Sequence, residues 1–160
     1  MNGRSEGGAA LVITILMLPV LLLSLALVAD AGMLMLARQL AHTAADMAAL
    51  AACQELDPDR LDRGELVLDP ARARAVARNY AMDNLRSAFP GIDLTEDVVV
   101  TVGVHNPNPS APGRDQVTGR ELLHPTVCVT IDVAVPLRLF PVPGGRVWVW
   151  AHADASVVIR

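Results

Sequence analysis

The chain has 160 residues, enough for one ordinary domain or for a smaller domain with an anchor. Apolar residues make up 52% of it and charged residues 19%, against about 45–50% and about 25% in typical soluble domains. This composition excludes a disordered chain. The net charge of −4 argues against nonspecific binding to nucleic acid, which depends on clustered cations, so we expect no nucleic-acid partner.

The excess of apolar residues lies in one segment, from Ala9 to Ala29, which carries no charge. As a helix this segment would be about 31 Å long, close to the bilayer core of about 30 Å. Pro19 lies near its middle, and a membrane helix tolerates a single proline there. A cleavable secretory signal has a shorter apolar stretch, of about 7–15 residues. The sequence therefore predicts a retained membrane span.

The charges that flank the span predict its orientation. Arg4 and the α-amino group precede it, whereas Asp30 follows it directly and the next cation is Arg38. The positive-inside rule then gives a single-pass protein of the cytoplasmic membrane, with its N-terminus inside and its C-terminal domain outside. In that oxidising compartment Cys53 and Cys128 either form a disulfide or remain two separate buried thiols.

The first helix is predicted to continue beyond the membrane. After a polar leader over residues 1–8 and the span over 9–29, residues 30–56 are dominated by strong helix formers, and Asp57-Pro58 then stops the helix. Small residues recur three and four positions apart in this continuation: Ala37, Ala41, Ala44, Ala45, Ala48 and Ala52. Larger apolar residues flank them: Leu36, Leu40, Met47 and Leu50. The alanines are either a packing seam for like helices of other subunits or the face that packs on the chain's own sheet.

The rest of the chain is predicted to be a small α+β domain over residues 70–160, joined to the first helix by a polar linker over 57–69. Asp69 and Pro70 match the capped start of a second helix, which ends near Phe89. Apolar and polar residues alternate in three later segments, as in strands buried on one face: Asp97 to His105, Thr126 to Val135 and Arg146 to Ile159. We expect an α+β fold with a long N-terminal helix, a second helix and an antiparallel sheet of about three strands.

Two features of this domain could contact a partner. Residues 106–125 are rich in proline and glycine and are predicted to form a mobile exposed loop. Trp148 and Trp150 share one face of the last strand. They form a partner patch if that face is exposed, and belong to the core if the second helix covers it.

The N-terminal third combines several pieces in a fixed order: a polar leader ending in glycine, an apolar span with a proline, then Val28–Gly32, Arg38–Leu40 and Ala44–Ala52. In this order the pieces resemble the TadE/TadG-like proteins of Flp (tight adherence) pilus systems. The resemblance implies a pilin-like fold. It also implies a minor pilin, a pseudopilin or a membrane-anchored component of a type IV-like pilus, with other pilus subunits as partners. The alternative is a single-pass envelope protein whose outer domain binds a partner, with no filament role.

The resemblance also implies a processing site. Pilin-like members lose a short leader to a prepilin peptidase that cuts after glycine, and Gly8 before Ala9 is the matching position. Typical pilins carry glutamate five residues into the mature chain, where this sequence has Ile13. A carboxylate in lipid is costly and is kept for a purpose. Its absence argues against a major subunit and fits better the TadG-like branch, which often lacks this glutamate, so the sequence leaves open whether the chain is cut at Gly8 or stays in the membrane.

The sequence offers little for catalysis. The four histidines, His42, His105, His124 and His152, are scattered, and no zinc, phosphate-binding or nucleophile motif accompanies them. His105 and His124 flank the 106–125 loop, where they could approach one another as a metal pair. We predict that the protein is not an enzyme and uses no catalytic residue, metal or cofactor.

Overall fold

A computed structural model of the chain describes residues 3–108, 111–137, 139 and 145–158. Its first element, α1, is one uninterrupted helix from Gly3 to Ala52, about 75 Å long. It contains Pro19 without a break, begins six residues before the predicted start of the span and ends four residues before Leu56. The large apolar side chains of its first half, from Leu11 to Val28, are all more than half exposed, and this half is long and apolar enough to cross a membrane.

The second half of α1 packs against α3, which runs from Pro70 to Ala88. Asp69 caps α3 as predicted, because its carboxylate accepts the N–H groups of Ala71 and Arg72 at 2.9 and 3.1 Å. The buried face of α3 has a four-residue period: Ala73, Ala77, Ala81 and Leu85. Three of these four are alanines, so α3 approaches α1 through small side chains.

Three long antiparallel strands form the sheet: β1 (Val98–His105), β4 (Thr126–Pro136) and β5 (Arg146–Ser156). Their order is β1-β4-β5, so β4 is central and pairs with both neighbours along its length. The valines of β4 and Ile131 point to the helices and are buried, as the alternation predicts. The predicted α+β architecture, with a long first helix and a three-stranded antiparallel sheet, is confirmed.

The predicted linker is a closed loop with structure of its own. It contains the single helical turn α2 (Pro58–Leu61), which Asp57 caps. A bridge between Leu56 and Leu68 closes its base. The side-chain amide of Asn106, just after β1, binds the main chain of Leu68. It accepts the N–H of Leu68 at 2.8 Å and donates to the carbonyl of Leu68 at 2.9 Å. The end of α1 is therefore fixed to the start of α3 and to the end of β1.

The segment 106–125, predicted to be a mobile exposed loop, is mostly exposed in its described part but has some structure of its own. It contains a short hairpin of β2 (Gly113–Arg114) and β3 (Glu121–Leu122), and Leu122 is fully buried. The hairpin lies on the polar face of the sheet, opposite the helices, and the contacts that hold it there are described below.

The alanine contact between α1 and α3 gives a test of the fold. Replacing the fully buried Ala81 by leucine should reduce the stability by about 1–3 kcal/mol, because there is no room for a larger side chain between close helices. Ala75→Leu, on the exposed side of the same helix, should change it by less than about 0.5 kcal/mol. Thermal unfolding of the detergent-solubilised full chain, followed by circular dichroism, measures both. Equal effects of the two substitutions would contradict the packing described here.

Candidate functional sites

The six alanines proposed as a seam lie inside the fold, with side chains between 0% and 4% exposed. They belong to the core formed with α3 and the sheet. The stripe therefore takes the second of the two roles that the sequence leaves open. The reason is geometric: the alanines of α3 face the alanines of α1, so the two helices approach closely. This contact buries the side of α1 that carries its small residues.

A different face of α1 remains exposed beyond the span. Its residues alternate three and four positions apart, the spacing of a coiled-coil seam: Met33, Leu36, Leu40, Thr43, Met47 and Leu50. We call this set the outer stripe. Four of its six side chains are large, apolar and about half exposed, and Leu40 is partly covered. The residues that flank the alanines, rather than the alanines themselves, are thus the apolar surface that α1 presents to its surroundings.

The membrane-proximal part of the outer stripe opens into a cleft of about 260 Å³. Met33, Leu36 and Leu40 form one wall, and Phe89 and Ile92, just beyond α3, form another. The lining is apolar, so the cleft suits an apolar chain or side chain rather than a charged ligand.

On the other face of the sheet, a buried polar cluster connects the β2–β3 hairpin to β5. The imidazole Nε2 of His152 lies 2.9 Å from the Asp115 carboxylate, and its Nδ1 lies 3.1 Å from the Thr130 hydroxyl. The side chains of Asp115 and His152 are only 3% and 7% exposed. A neutral imidazole can donate Nε2–H to Asp115 and accept the Thr130 hydroxyl at Nδ1, so both ring nitrogens have partners.

Asp115 also organises the turn between β2 and β3. Its carboxylate accepts the main-chain N–H of Val117 at 3.0 Å and the hydroxyl of Thr118. Burial acts to raise the pKa of Asp115, but these hydrogen bonds and the neighbouring His152 outweigh it and lower the pKa to about 2. Asp115 is therefore a carboxylate that holds the hairpin closed and fastens it to the sheet.

Two further contacts hold the hairpin down. Arg120 forms an ion pair with Asp154 of β5, and Leu122 fills the space beside Gly113. The row of threonine, histidine and aspartate has the order of a nucleophile, a base and an orienting acid. In this structure the row connects the β2–β3 turn, β5 and β4. Besides its contact with His152, Asp115 accepts hydrogen bonds from Val117 and Thr118 of its own turn.

The two cysteines are free thiols in the structure, on opposite faces of the sheet. Cys53 packs against the helix-facing core and donates its thiol to the carbonyl of Ala155 at 2.9 Å. Cys128 alternates with the inward-facing valines of β4 and so points to the polar face, beside Asp115. Burial raises the pKa of both thiols, that of Cys128 to about 12. A disulfide would require one side chain to cross the sheet.

The structure gives His105 and His124 different surroundings. His105 shares a cleft with His152, and His124 does not line that cleft. In the described part of the chain, no group of three or more histidine, cysteine, aspartate or glutamate side chains is placed to hold a metal. Sequence reasoning missed the contact of His152 with Asp115, because 37 positions separate them. The one local signal of a turn at Asp115 was its spacing from Thr118, three residues later, and from Gly119, four residues later.

The two tryptophans are exposed, Trp148 by 56% and Trp150 by 50%. Helices α1 and α3 pack on the opposite face of the sheet. The β2–β3 hairpin covers only the half of this face near the end of β5, where His152 and Asp154 lie. We call this the distal half, because it lies far from the first half of α1. Trp148 and Trp150 lie on the uncovered half of this face. Because β5 is an edge strand, they line a groove that continues around this edge to Leu34, Met35 and Arg38 of α1. Of the two alternatives drawn from the sequence, the exposed patch is the one that the structure has.

The suggested processing position lies within a helix. Gly8 is exposed, and the Gly8–Ala9 peptide belongs to the first turns of α1. A Cβ at Gly8 would meet no atom within 4 Å, so no described residue covers this position.

The polar cluster gives a prediction of pH dependence. Because the pKa of Asp115 is lower in the folded than in the unfolded chain, its stabilisation is complete above about pH 4 and is lost as the pH falls towards 2. Asp115→Asn should therefore lower the stability by on the order of 2 kcal/mol near neutral pH, with a difference from the parent that shrinks in acid. Thermal unfolding at a series of pH values measures this difference.

The exposed Asp83→Asn substitution on α3 is the matched control and should have little effect at any pH, because solvent screens its pair with Arg86. If the difference between Asp115→Asn and the parent stayed constant from neutral to acid pH, the carboxylate would not be the group that fastens the hairpin.

Comparison with known proteins identifies one family. Residues 7–78 match the sequence model of the Tad family (Putative Flp pilus-assembly TadE/G-like). Comparison with curated proteins and with solved structures found no match. The matched part holds almost all of α1, the closed loop with α2 and the first half of α3. The resemblance drawn from the order of the N-terminal pieces is thus confirmed: residues 7–78 are similar to the Flp pilus-assembly TadE/G-like proteins that this model describes.

Proposed function

We propose that the protein is a minor pilin, a pseudopilin or a membrane-anchored component of an Flp/Tad pilus, and that it acts by helix packing and protein contacts without catalysis. The family match supports a pilus-related role. The observation that carries the finer proposal is the outer stripe, a coiled-coil-spaced apolar face on a helix whose other half is suited to lipid.

The first half of α1 supports membrane attachment. Its large apolar side chains from Leu11 to Val28 are all more than half exposed, and nothing in the part of the chain that the structure describes buries them. So large an apolar surface is not stable in water, so lipid or the apolar helices of other subunits must surround it. The N-terminus is proposed to lie in the cytoplasm and the α+β domain outside, as the positive-inside rule favours.

The outer stripe extends this apolar surface beyond the membrane. From Met33 to Leu50 it covers about 26 Å of helix, nearly five turns. Two helices with such stripes can pack side by side at about 20°, each residue fitting between residues of the partner. Packing through the outer stripe would not disturb the outer domain, because that domain packs on the alanines of another side of the helix. A bundle of α1 helices could therefore continue outwards without unfolding any subunit.

The N-terminus decides between a filament subunit and a permanent anchor. Ile13 occupies the position of the pilin glutamate, which supports a component that stays in the membrane. Gly8 and Ala9 form a peptide that a prepilin peptidase could cut once the helix start is unwound.

We expect the protein from its native host to begin before Ala9, which intact mass and the N-terminal peptide would measure. An N-terminus at Ala9 would contradict permanent anchoring and identify a processed, pilin-type subunit. The Gly8→Leu variant is the control for cutting by other proteases, because it should block a peptidase that requires glycine and leave unrelated trimming unchanged.

The stripe is tested by Leu50→Asp. A carboxylate at this exposed position should prevent close helix packing, so we expect the loss of pilus assembly and of co-isolation with pilus components. The fold should be retained, because Leu50 is 57% exposed and contributes little to the core. Counting of surface pili and affinity isolation from native membranes measure the effect.

Leu123→Asp is the matched control, since Leu123 is 70% exposed but lies outside the stripe. Both variants should unfold at nearly the parent temperature. Normal pili in the Leu50→Asp strain would contradict the proposal and favour the alternative, an envelope protein whose outer domain binds its partner without a filament.

A further inference from the structure

We propose that the base of the outer domain is seated in the headgroup layer of the bilayer, with Trp148 as its interfacial anchor. The base is defined by Trp148, Trp150, Leu139 and the residues of α1 from Met33 to Leu36. This inference rests on the membrane span that is part of the proposed function, and it is independent of any role in a pilus.

The first step is the alignment of α1 with β5. At one end Leu34 and Val147 line the same groove, and at the other Cys53 donates its thiol to Ala155. The helix rises about 28 Å between its two contacts and the strand about 27 Å between its own, so the two run side by side in the same direction. The start of β5 is therefore the end of the domain that lies nearest to the membrane.

The second step concerns Asp30, the single charged residue between Glu6 and Arg38. It is only 5% exposed, and its carboxylate accepts the main-chain N–H of Leu139 at 3.2 Å. The segment after β4 thus covers the charge. As a result the exposed surface of α1 stays apolar as far as Leu36, well past the end of the span predicted from the sequence.

This longer apolar surface matches the thickness of a whole bilayer. From Ala9 to Leu36 the helix is about 42 Å long, whereas a bilayer measures about 40–45 Å with its headgroups. Successive helical residues turn by about 100°, so Met33, Met35 and Leu36 point in three directions around the axis. All three are about half exposed or more. The exposed apolar surface therefore covers more than one side of the helix at this level, and the domain covers the remaining side.

The third step is the chemistry of the domain at the same level. Trp148 and Trp150 lie beside Met35, and Leu139, which is 58% exposed, lies beside Asp30. Tryptophan favours the membrane interface, because its ring is apolar while its N–H can bond to water or headgroups. The exposed side chain of Arg38 lines the same groove, where its guanidinium can reach lipid phosphates.

A lipid surface explains this distribution better than a protein partner does. The exposed apolar groups lie on the β5 side of α1 and also on its α3 side, at one height along the helix and continuous with the span. A protein partner would cover one side of the domain. A bilayer covers every side at one level, as the side chains require.

The two tryptophans are the only ones in the chain, so their fluorescence reports on the base alone. The full chain would be reconstituted in phosphatidylcholine vesicles, recovered by flotation, and compared in ordinary lipid and in lipid brominated near the headgroup end of the acyl chains. We expect the brominated lipid to remove more than about half of the emission, because an interfacial indole contacts these carbons. Trp148 alone, in Trp150→Phe, should be quenched more than Trp150 alone, in Trp148→Phe.

The matched control carries a single tryptophan at the far end of the domain, as Leu123→Trp with Trp148→Phe and Trp150→Phe. Leu123 is exposed and precedes β4 by three residues, and β4 runs about 34 Å towards the base. This protein should not be quenched by brominated lipid and should be quenched most by aqueous acrylamide. If the native tryptophans were quenched by lipid no more than this control, the base would lie in water or against protein, and the proposal would be overturned whatever the protein's role in a pilus.

Discussion

The close packing of alanine on alanine between α1 and α3 is the contact on which the other surfaces of this molecule depend. It fixes which side of a helix of 50 residues faces the domain. Because the helix is continuous, that choice also determines which sides face lipid, which side carries the outer stripe, and how β5 lies along it. Alanine suits this contact because it loses almost no side-chain entropy and allows the backbones to approach. The large apolar residues of α1 are thereby left for its surroundings.

The sheet has two faces with different tasks. Valines and Ile131 on one face form the core with the helices, and the polar residues of the other face are covered only in part. The β2–β3 hairpin covers the distal half of that face through Asp115, His152 and Arg120. Near the membrane nothing in the described chain replaces the hairpin, and there the exposed residues are tryptophans. The polar face is thus divided into a sealed distal half and an open proximal half.

The sequence predicts well what depends on local pattern. The apolar run, the capped start at Asp69 and the alternation of β4 and β5 correspond to observed elements. The contacts that close the fold depend on residues distant in sequence, such as Asn106 with Leu68 and Asp115 with His152, and composition alone cannot pair them. Proline and glycine in 106–125 therefore predicted a loop but not the short hairpin, the buried Leu122 or the buried contact of Asp115 with His152 within it. For the alanine stripe, the sequence shows that α1 has a surface suited to close packing. It does not show that α3 is the element that packs on this surface.

The alternation of β4 could have shown from the sequence that Cys128 lies on the opposite face of the sheet from its valines. Once Val127 and Val129 of β4 are taken to face the helices, alternation sends Cys128 to the other side. Cys53, at the end of a helix on the first side, then lies on the opposite face of the sheet from Cys128. What the pattern could not supply was the side on which the helices lie.

The covered carboxylate of Asp30 has a consequence for the order of biogenesis. Leu139, whose main-chain N–H it accepts, follows it by 109 positions, so during membrane insertion this charge has no cover from the domain. At that stage it marks the end of the stretch that lipid accepts. In the proposed orientation, the lipid-compatible surface lengthens to Leu36, by about 9 Å, only when the last strands have been exported and folded. Completion of the outer domain would then change the depth at which the helix rests, coupling the folding of one compartment to the position of a helix in another.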